Sequence, residues 1–201
     1  MKLINKFMRI FLTILVLIFS LQTWTKADDI RDFEIEGMSI GDSLLKFYKN
    51  DKIIERIENQ KQYYKDNKYI LLTFPNKTEN YDALKFHIKS DDTNYIINYV
   101  SGIKLMNFEK CNAKKNEISK QLEGMFGIDS RRDGNIQKHS YDKTGNSIGI
   151  QTDFKLTNGH VRVLCMDWSD KLTKEKSWND KLIVDIYTTE FSDWLDNKAY
   201  K

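Results

Sequence analysis

A short apolar run near the start of the chain confines the folded protein to the residues that follow it. The run covers residues 10–21 and is preceded by three basic side chains, which is the arrangement of a secretory signal peptide. Thr25 and Ala27 place small residues at the −3 and −1 positions of a cleavage site. The sequence therefore predicts a leader over residues 1–27 and one exported domain over residues 28–201, periplasmic or secreted.

An uncleaved membrane anchor is the alternative to this interpretation. Crossing the hydrocarbon core takes about 20 apolar residues, whereas this run is shorter and is interrupted by Thr13 and Ser20. A lipoprotein would need a cysteine directly after the run, but the first cysteine is Cys111. We therefore expect no membrane span after cleavage and no lipid anchor.

The net charge of the chain also changes when the leader is removed. The full chain has 32 Lys and Arg against 29 Asp and Glu, and four of the basic residues lie in the leader, which leaves 28 against 29. A near-neutral domain with interleaved charges lacks the basic patch that attracts nucleic acid or an anionic membrane. We expect no nucleic-acid partner, and instead a monomer that binds an envelope protein or a small ligand.

Cys111 and Cys165 are the only cysteines in the chain. In an oxidising compartment such a pair forms a lasting disulfide. A bond across the 54-residue separation would stabilise the fold by about 4 kcal/mol on the chain-entropy model. A redox pair would need a C-x-x-C motif and a metal site would need more ligands than His160 beside Cys165. The sequence predicts a structural disulfide, with no metal and no cofactor.

Three stretches have apolar residues at helical spacing: residues 39–50 with a possible continuation to residue 62, residues 107–126, and the segment after Thr189. The second is the main helix, since Gly127 stands where a C-terminal cap belongs. Cys111 lies on the apolar side of this helix, so the disulfide would join it to the strand that carries Cys165. Trp194, in the terminal segment, is expected in the core.

The remaining periodic stretches predict β-strands. They cover residues 69–74, 81–89, 95–106, 147–156, 160–168 and 181–188. We expect a bulge at Gly102, a solvent-facing His87, and a type I′ hairpin turn at Asn158-Gly159, because both central positions of that turn need positive φ. Hairpins without regular β-α-β alternation favour the α+β class, with helices packed on one face of a mainly antiparallel sheet.

Trp178 is the leading candidate for a binding residue. It lies in a polar segment between two predicted strands, near Asp167, Asp170 and Asp180, where periodicity gives no reason for a large apolar side chain. An exposed tryptophan there would suit ligand stacking or partner docking, and we take Trp178, Asp167 and Asp170 as the candidate binding residues. The alternative is a loop that folds back so that Trp178 covers the edge of the sheet. Trp168 is expected to lie in the core.

Catalysis has little support in the sequence. The chain has no phosphate-binding loop, no G-x-S-x-G and no H-E-x-x-H motif. His139 and His160 lie near predicted turns and could meet in space. Residues 142–145, Asp-Lys-Thr-Gly, match the phosphorylation motif of cation-pumping ATPases, but the chain lacks their membrane spans, so we interpret the segment as a turn. We assign no catalytic residue.

Several segments together resemble a family of exported proteins from small-genome marine alphaproteobacteria. They are residues 33–45, the helix with Cys111, residues 165–169 and residues 190–195. The resemblance implies export and one compact domain, and it implies no activity. Residues 35–39 are also similar to the opening of small outer-membrane assembly lipoproteins, which pack helices on a short antiparallel sheet. This chain lacks their lipid-bearing cysteine and their later Gly-x-Pro element.

These observations predict an exported α+β domain that acts as a non-enzymatic binding or interaction module. The alternative function is a periplasmic hydrolase that uses carboxylates or histidines from different loops. A binding module should present an apolar or aromatic surface, whereas an enzyme should present a concave site with converging titratable groups.

Overall fold

The computed structural model describes residues 29–59, 63–76 and 78–201, and the predicted leader lies outside them. Within these residues the chain forms one antiparallel sheet with four α-helices, which confirms the α+β class and the single domain. The strands are β1 (Tyr69–Pro75), β2 (Ala83–Lys89), β3 (Tyr99–Leu105), β4 (Arg131–Asp133), β5 (Gln137–Lys138), β6 (Ile148–Leu156), β7 (Gly159–Asp167) and β8 (Lys181–Thr188). The helices are α1 (Asn50–Glu58), α2 (Phe108–Phe126), α3 (Asp170–Lys176) and α4 (Thr189–Asn197).

The strands lie in the order β1-β2-β3-β8-β7-β6-β4, and β5 pairs with the beginning of β6. None of the helices in the described part of the chain has the length and apolar content that a membrane crossing requires.

The predicted disulfide fixes α2 to the sheet. Cys111 and Cys165 are bonded and fully buried, with their Cα atoms 5.8 Å apart. The side chain of Asn107 caps the start of α2, and Gly127 ends the helix with a φ of 85°. Because side chains alternate along a strand, Cys165 and Val163 mark the face of the sheet that carries α2. We call this the first face and the opposite side the second face.

Helix α1 begins later than the sequence predicts. Residues 39–50 form only a short 3₁₀ turn, Leu44–Lys46, and the α-helix starts at Asn50. The reason is a tertiary contact, since the backbone N–H of Gly41 donates to Ile97 and the N–H of Ile97 donates to Asp42. This pairing holds the segment extended against its local helical preference.

Strand β3 is shorter than predicted and has no bulge. Gly102 pairs in register with Leu84 of β2 and Val184 of β8. A Cβ atom at position 102 would lie 2.4 Å from the ring of Tyr81. The glycine is therefore required by the close approach of this ring rather than by a break in the strand.

The β6–β7 hairpin is confirmed, but its turn lies one residue earlier than predicted. Leu156 pairs with Gly159, so Thr157 and Asn158 are the central residues, and neither has positive φ. The prediction of a type I′ turn is therefore wrong. Gly159 is the first residue of β7, where an added Cβ would lie 2.2 Å from the carbonyl oxygen of Tyr187.

Helix α4 covers one end of the second face. Its Phe191 ring centroid lies 4.6 Å from that of His87 and 5.2 Å from that of Tyr99. His87 is only 4% exposed, and its Nε2 lies 2.8 Å from the hydroxyl oxygen of Tyr64. The prediction of a solvent-facing His87 is wrong because the terminal helix folds back over this strand. Trp194 is buried beside Phe191, as expected.

Candidate functional site

A row of polar side chains crosses the second face of the sheet. In register, Lys85 of β2 pairs with Ser101 of β3, which pairs with Asp185 of β8. Asp185 then pairs with Arg162 of β7, which pairs with Asp153 of β6. Ser101 and Asp185 have no exposed surface, and the others are half-buried. We call these five residues the polar row; burial of charges in such a row is costly unless they are paired.

Asp185 is the centre of a hydrogen-bonded network in the polar row. Its Oδ1 accepts a hydrogen bond from the Tyr99 hydroxyl at 2.7 Å, and its Oδ2 accepts one from Arg162 Nε at 2.9 Å. Burial lowers the pKa of Arg162, but the carboxylate of Asp185 outweighs this effect and the net pKa is raised. Burial, with Asp185, also holds the pKa of Tyr99 well above its usual value. Tyr99 and Arg162 therefore supply the hydrogen bonds that the buried carboxylate of Asp185 needs. This network has a structural role.

Two lysines on the same face have no such partner. Lys85 belongs to the polar row, and Lys181 of β8 pairs with Met166 of β7. Neither ammonium group forms an ion pair or a hydrogen bond with any residue that the structure describes. Burial lowers the pKa of Lys85, and the charge of Asp185 opposes this shift. Burial also lowers the pKa of Lys181; the charge of Lys85 lowers it further, and that of Asp180 opposes the shift. The result is two partly desolvated cations without a counter-ion in contact.

The hydroxyl of Ser101 is the third unusual group. It is fully buried and makes no hydrogen bond of ordinary geometry, although it lies near the Tyr99 hydroxyl, which already donates to Asp185. A serine hydroxyl can donate one hydrogen bond and accept two. Leaving such a group unpaired in a protein interior costs about 1–3 kcal/mol.

An apolar row and a cavity lie beside the polar row. Ile103, Ile183 and Leu164 are register neighbours on β3, β8 and β7. Leu164 and Met166 also line a cavity of about 440 Å³, whose opposite wall is formed by residues 134–140. This volume lies within the range of small-molecule sites. We use the term open face for Lys85, Ser101, Ile103, Lys181, Ile183 and Leu164, because four of these residues keep partial exposure.

Trp178 lies at the edge of the open face. Its ring centroid is 4.6 Å from that of Trp168 and 5.0 Å from that of Tyr141. Trp168 contacts His139, which lines the cavity. The ammonium nitrogen of Lys181 lies 5.8 Å from the centroid of the Trp168 ring. Trp178 is half-buried, so its loop does fold back. Trp168, which we expected in the core, is half-buried as well.

Asp167 and Asp170 lie apart from the polar row. Asp167 ends β7 and alternates onto the first face, whereas Asp170 opens α3 and is exposed. Burial raises the pKa of Asp167, with Asp180 and Asp170 contributing to the rise. Asp180 accepts a hydrogen bond from the backbone N–H of Trp168 at 2.8 Å. Of the three residues singled out in the sequence, only Trp178 therefore adjoins the open face.

The two candidate histidines do not meet. His160 lies near the start of β7, where it stacks on Tyr187, and His139 contacts Trp168 just beyond the end of the same strand. The strand between these positions spans about 26 Å. Among the described residues, no group of three or more His, Cys, Asp or Glu side chains has an arrangement that could hold a metal ion.

The Asp-Lys-Thr-Gly segment is a turn, as interpreted. The carboxylate of Asp142 accepts hydrogen bonds from the backbone and hydroxyl groups of Thr144 and Ser147. These hydrogen bonds hold the pKa of Asp142 well below its usual value. The carboxylate is therefore occupied by the turn itself.

A second, larger cleft of about 710 Å³ lies beside α2, between Lys110 and Lys114 on one side and Glu34 and Glu36 on the other. Three of its charged groups are engaged within the protein: Lys114 pairs with Glu117, Lys104 pairs with Asp82, and Glu36 accepts a hydrogen bond from Asn80. The open face is the stronger candidate, because it combines two half-buried lysines with a fully buried hydroxyl, and none of these groups makes an ion pair or an ordinary hydrogen bond with the part of the chain that the structure describes.

Sequence reasoning missed the open face. Lys85, Lys181 and Arg162 occupy alternate strand positions, which normally face solvent in a sheet with one buried side. The only local signal was the alternation itself, which places these residues on one face but does not order the strands. Their proximity depends on the register of β2, β3, β8 and β7.

A scan of protein-family models, a search of curated proteins and a search of solved structures found no match for this chain.

Proposed function

We propose that this protein is a non-enzymatic binding module that holds a small, partly apolar ligand on the open face. The observation that carries the proposal is the continuity of the apolar row with the 440 Å³ cavity, since Leu164 belongs to both. A ligand that covers Ile183 and Leu164 gains about 25 cal/mol for each Å² of apolar surface removed from water. The aromatic rings of Trp168 and Trp178 extend this surface at one end.

Export is the second part of the proposal. Its support is the leader pattern of residues 1–27 and the bonding of the only two cysteines of the chain, because disulfides persist in oxidising compartments. The ligand would thus be a molecule of the cell envelope or of the surrounding medium, bound in the periplasm or after secretion.

A hydrolase is the alternative, and one observation favours it. Lys85, whose pKa burial lowers, is the register neighbour of Ser101, and lysine can activate a serine nucleophile. However, Ser101 makes no hydrogen bond with Lys85, so no base is in place to activate its hydroxyl. Labelling of Ser101 by a fluorophosphonate probe would support the hydrolase and contradict a purely binding role.

Calorimetric titration with 1-decanol tests the binding proposal. We expect saturable binding to the full exported chain and a loss of at least fivefold in affinity for Ile183→Gln, which places a polar group in the middle of the apolar row. Ile128→Gln is the matched control, because Ile128 is 62% exposed and lies away from the open face. Absence of saturable binding, or equal losses in both variants, would contradict the proposal.

A further inference from the structure

We propose that the ligand of the open face is an amphiphile with a carboxylate group, which binds between the ammonium groups of Lys85 and Lys181 and accepts a hydrogen bond from Ser101. Its apolar body lies along Ile103, Ile183 and Leu164. The inference rests on the proposed function, since it names the chemical class of the ligand held at the same site.

The two lysines supply the charge complementarity. They flank the apolar row on the same face: Lys85 is the register neighbour of Ser101, and Lys181 lies two residues from Ile183 on β8. Neither ammonium has a counter-ion in contact among the described residues. A partly desolvated cation gains most from an anion that it can hydrogen-bond directly, and such charge-assisted hydrogen bonds are about twice as strong as neutral ones. The lysines therefore favour an anionic ligand over a neutral one of the same shape.

The acidic residues nearby do not fill this role. The carboxylate of Asp185 already accepts hydrogen bonds from Tyr99 and Arg162. The carboxylate of Asp180 accepts a hydrogen bond from the backbone N–H of Trp168. Asp153 lies beyond Arg162 in the polar row and accepts a hydrogen bond from Gln151. Within residues 29–59, 63–76 and 78–201, no acidic side chain is therefore in contact with the ammonium group of Lys85 or Lys181.

Ser101 gives an independent indication of a ligand. Its hydroxyl is fully buried, lies between Lys85 and Asp185 in the register, and lacks a partner of ordinary geometry. A carboxylate oxygen near Lys85 would accept the hydroxyl hydrogen and remove the penalty of the unpaired group. A neutral alkyl chain could not do so.

The apolar row sets the direction of the rest of the ligand. Ile103, Ile183 and Leu164 cross three adjacent strands, a distance of roughly 10 Å, and the row leads into the cavity under residues 134–140. An extended hydrocarbon chain attached to the carboxylate would follow this path. A medium-chain fatty carboxylate has both required parts.

The test compares sodium decanoate, 1-decanol and sodium acetate, each titrated below its aggregation concentration into the full exported chain. We expect decanoate to bind about tenfold or more tightly than decanol, which corresponds to one charge-assisted hydrogen bond, and acetate to bind weakest. Lys85→Met and Lys181→Met keep the apolar stem and remove the charge, so each should weaken decanoate binding about tenfold and leave decanol binding unchanged.

Two further variants separate a specific site from general attraction. Lys155→Met is the matched control, since Lys155 is an exposed lysine of the second face at the far end of β6, and it should leave decanoate binding unchanged. Ser101→Ala should weaken decanoate binding several-fold without lowering the melting temperature. A fall in melting temperature would show that the hydroxyl is satisfied within the fold, which would overturn its role as a ligand donor.

The outcomes distinguish this inference from the proposed function. Equal affinities for decanoate and decanol, or insensitivity of decanoate binding to both Lys→Met changes, would overturn the carboxylate and leave the apolar site intact. Failure of both amphiphiles to bind would overturn both proposals. Binding to phosphatidylglycerol vesicles without binding of monomeric decanoate would indicate a membrane surface as the partner and would also overturn the inference.

Discussion

At the scale of single residues, the buried carboxylate of Asp185 holds the second face together. It has no exposed surface, and its two oxygens bind Tyr99 and Arg162. An ion pair of this kind is not in itself strong evidence of stability, because desolvation offsets much of the attraction. Loss of one partner is different, since it leaves the other charge uncompensated.

We therefore expect Asp185→Ala to lower the free energy of unfolding by about 3 kcal/mol, because Arg162 would keep a half-buried charge without a partner. Urea denaturation measures this change. Asp91→Ala is the matched control, because Asp91 is exposed, and it should change stability by less than about 0.5 kcal/mol. A similar small change for Asp185→Ala would contradict the account of the network.

His87 is expected to make the protein less stable in acid. Burial, followed by the charge of Lys85, lowers the pKa of His87 to about 3, whereas an unfolded histidine titrates near pH 6.5. Below pH 6.5 the unfolded chain therefore binds a proton that the folded protein does not, and this contribution to stability falls by up to about 1.4 kcal/mol per pH unit until about pH 3.

His87→Phe removes the titrating group and keeps a ring beneath Phe191. Denaturation between pH 6.5 and pH 4 should show a shallower loss of stability for this variant than for the natural protein. The comparison of slopes cancels the contributions of the carboxylates, which both proteins share. Parallel slopes would contradict a neutral, buried His87.

At the scale of secondary-structure elements, the disulfide between α2 and β7 joins the main helix to the centre of the sheet. We expect the double change Cys111→Ala and Cys165→Ala to lower the free energy of unfolding by up to about 4 kcal/mol on the chain-entropy model. Dithiothreitol should reproduce this loss in the natural protein and have no effect on the double variant. Two reactive thiols in the unfolded, unreduced chain would rule out the bond.

The elements also show which parts of the fold the sequence could predict. Helix α2 and the β6–β7 hairpin follow from local periodicity and capping, so their type was predictable. The start of α1 was not, because backbone pairing between Gly41 and Ile97 overrides the helical pattern. The turn with two positive φ angles lies at Glu36 and Gly37, with φ of 53° and 75°, rather than at the Asn-Gly dipeptide.

At the scale of the whole molecule, the candidate site depends on contacts between distant parts of the chain. Lys85 and Lys181 belong to strands β2 and β8, with β3 between them in the sheet. Alternation along each strand could assign these residues to one face, but only the strand order brings them together. The fold class was therefore within reach of sequence reasoning, whereas the polar row and the open face were not.

Trp178 is an intermediate case. Its position in a polar segment was the sequence signal, and its ring contacts that of Trp168 at the edge of the open face. A role of Trp178 in binding stays a prediction. Asp167 and Asp170 are near it in the sequence, but Asp167 alternates onto the first face at the end of β7, and Asp170 is exposed at the start of α3.

The most direct test of the open face as a binding site is an NMR titration of the full exported chain with 1-decanol, with backbone amide shifts mapped onto the sheet. We predict that the largest shifts occur at Ile183, Leu164 and Met166 and extend into residues 134–140, which form the cavity wall. Shifts confined to the cleft beside α2, around Lys110 and Glu36, or no saturable shifts at all, would contradict the account.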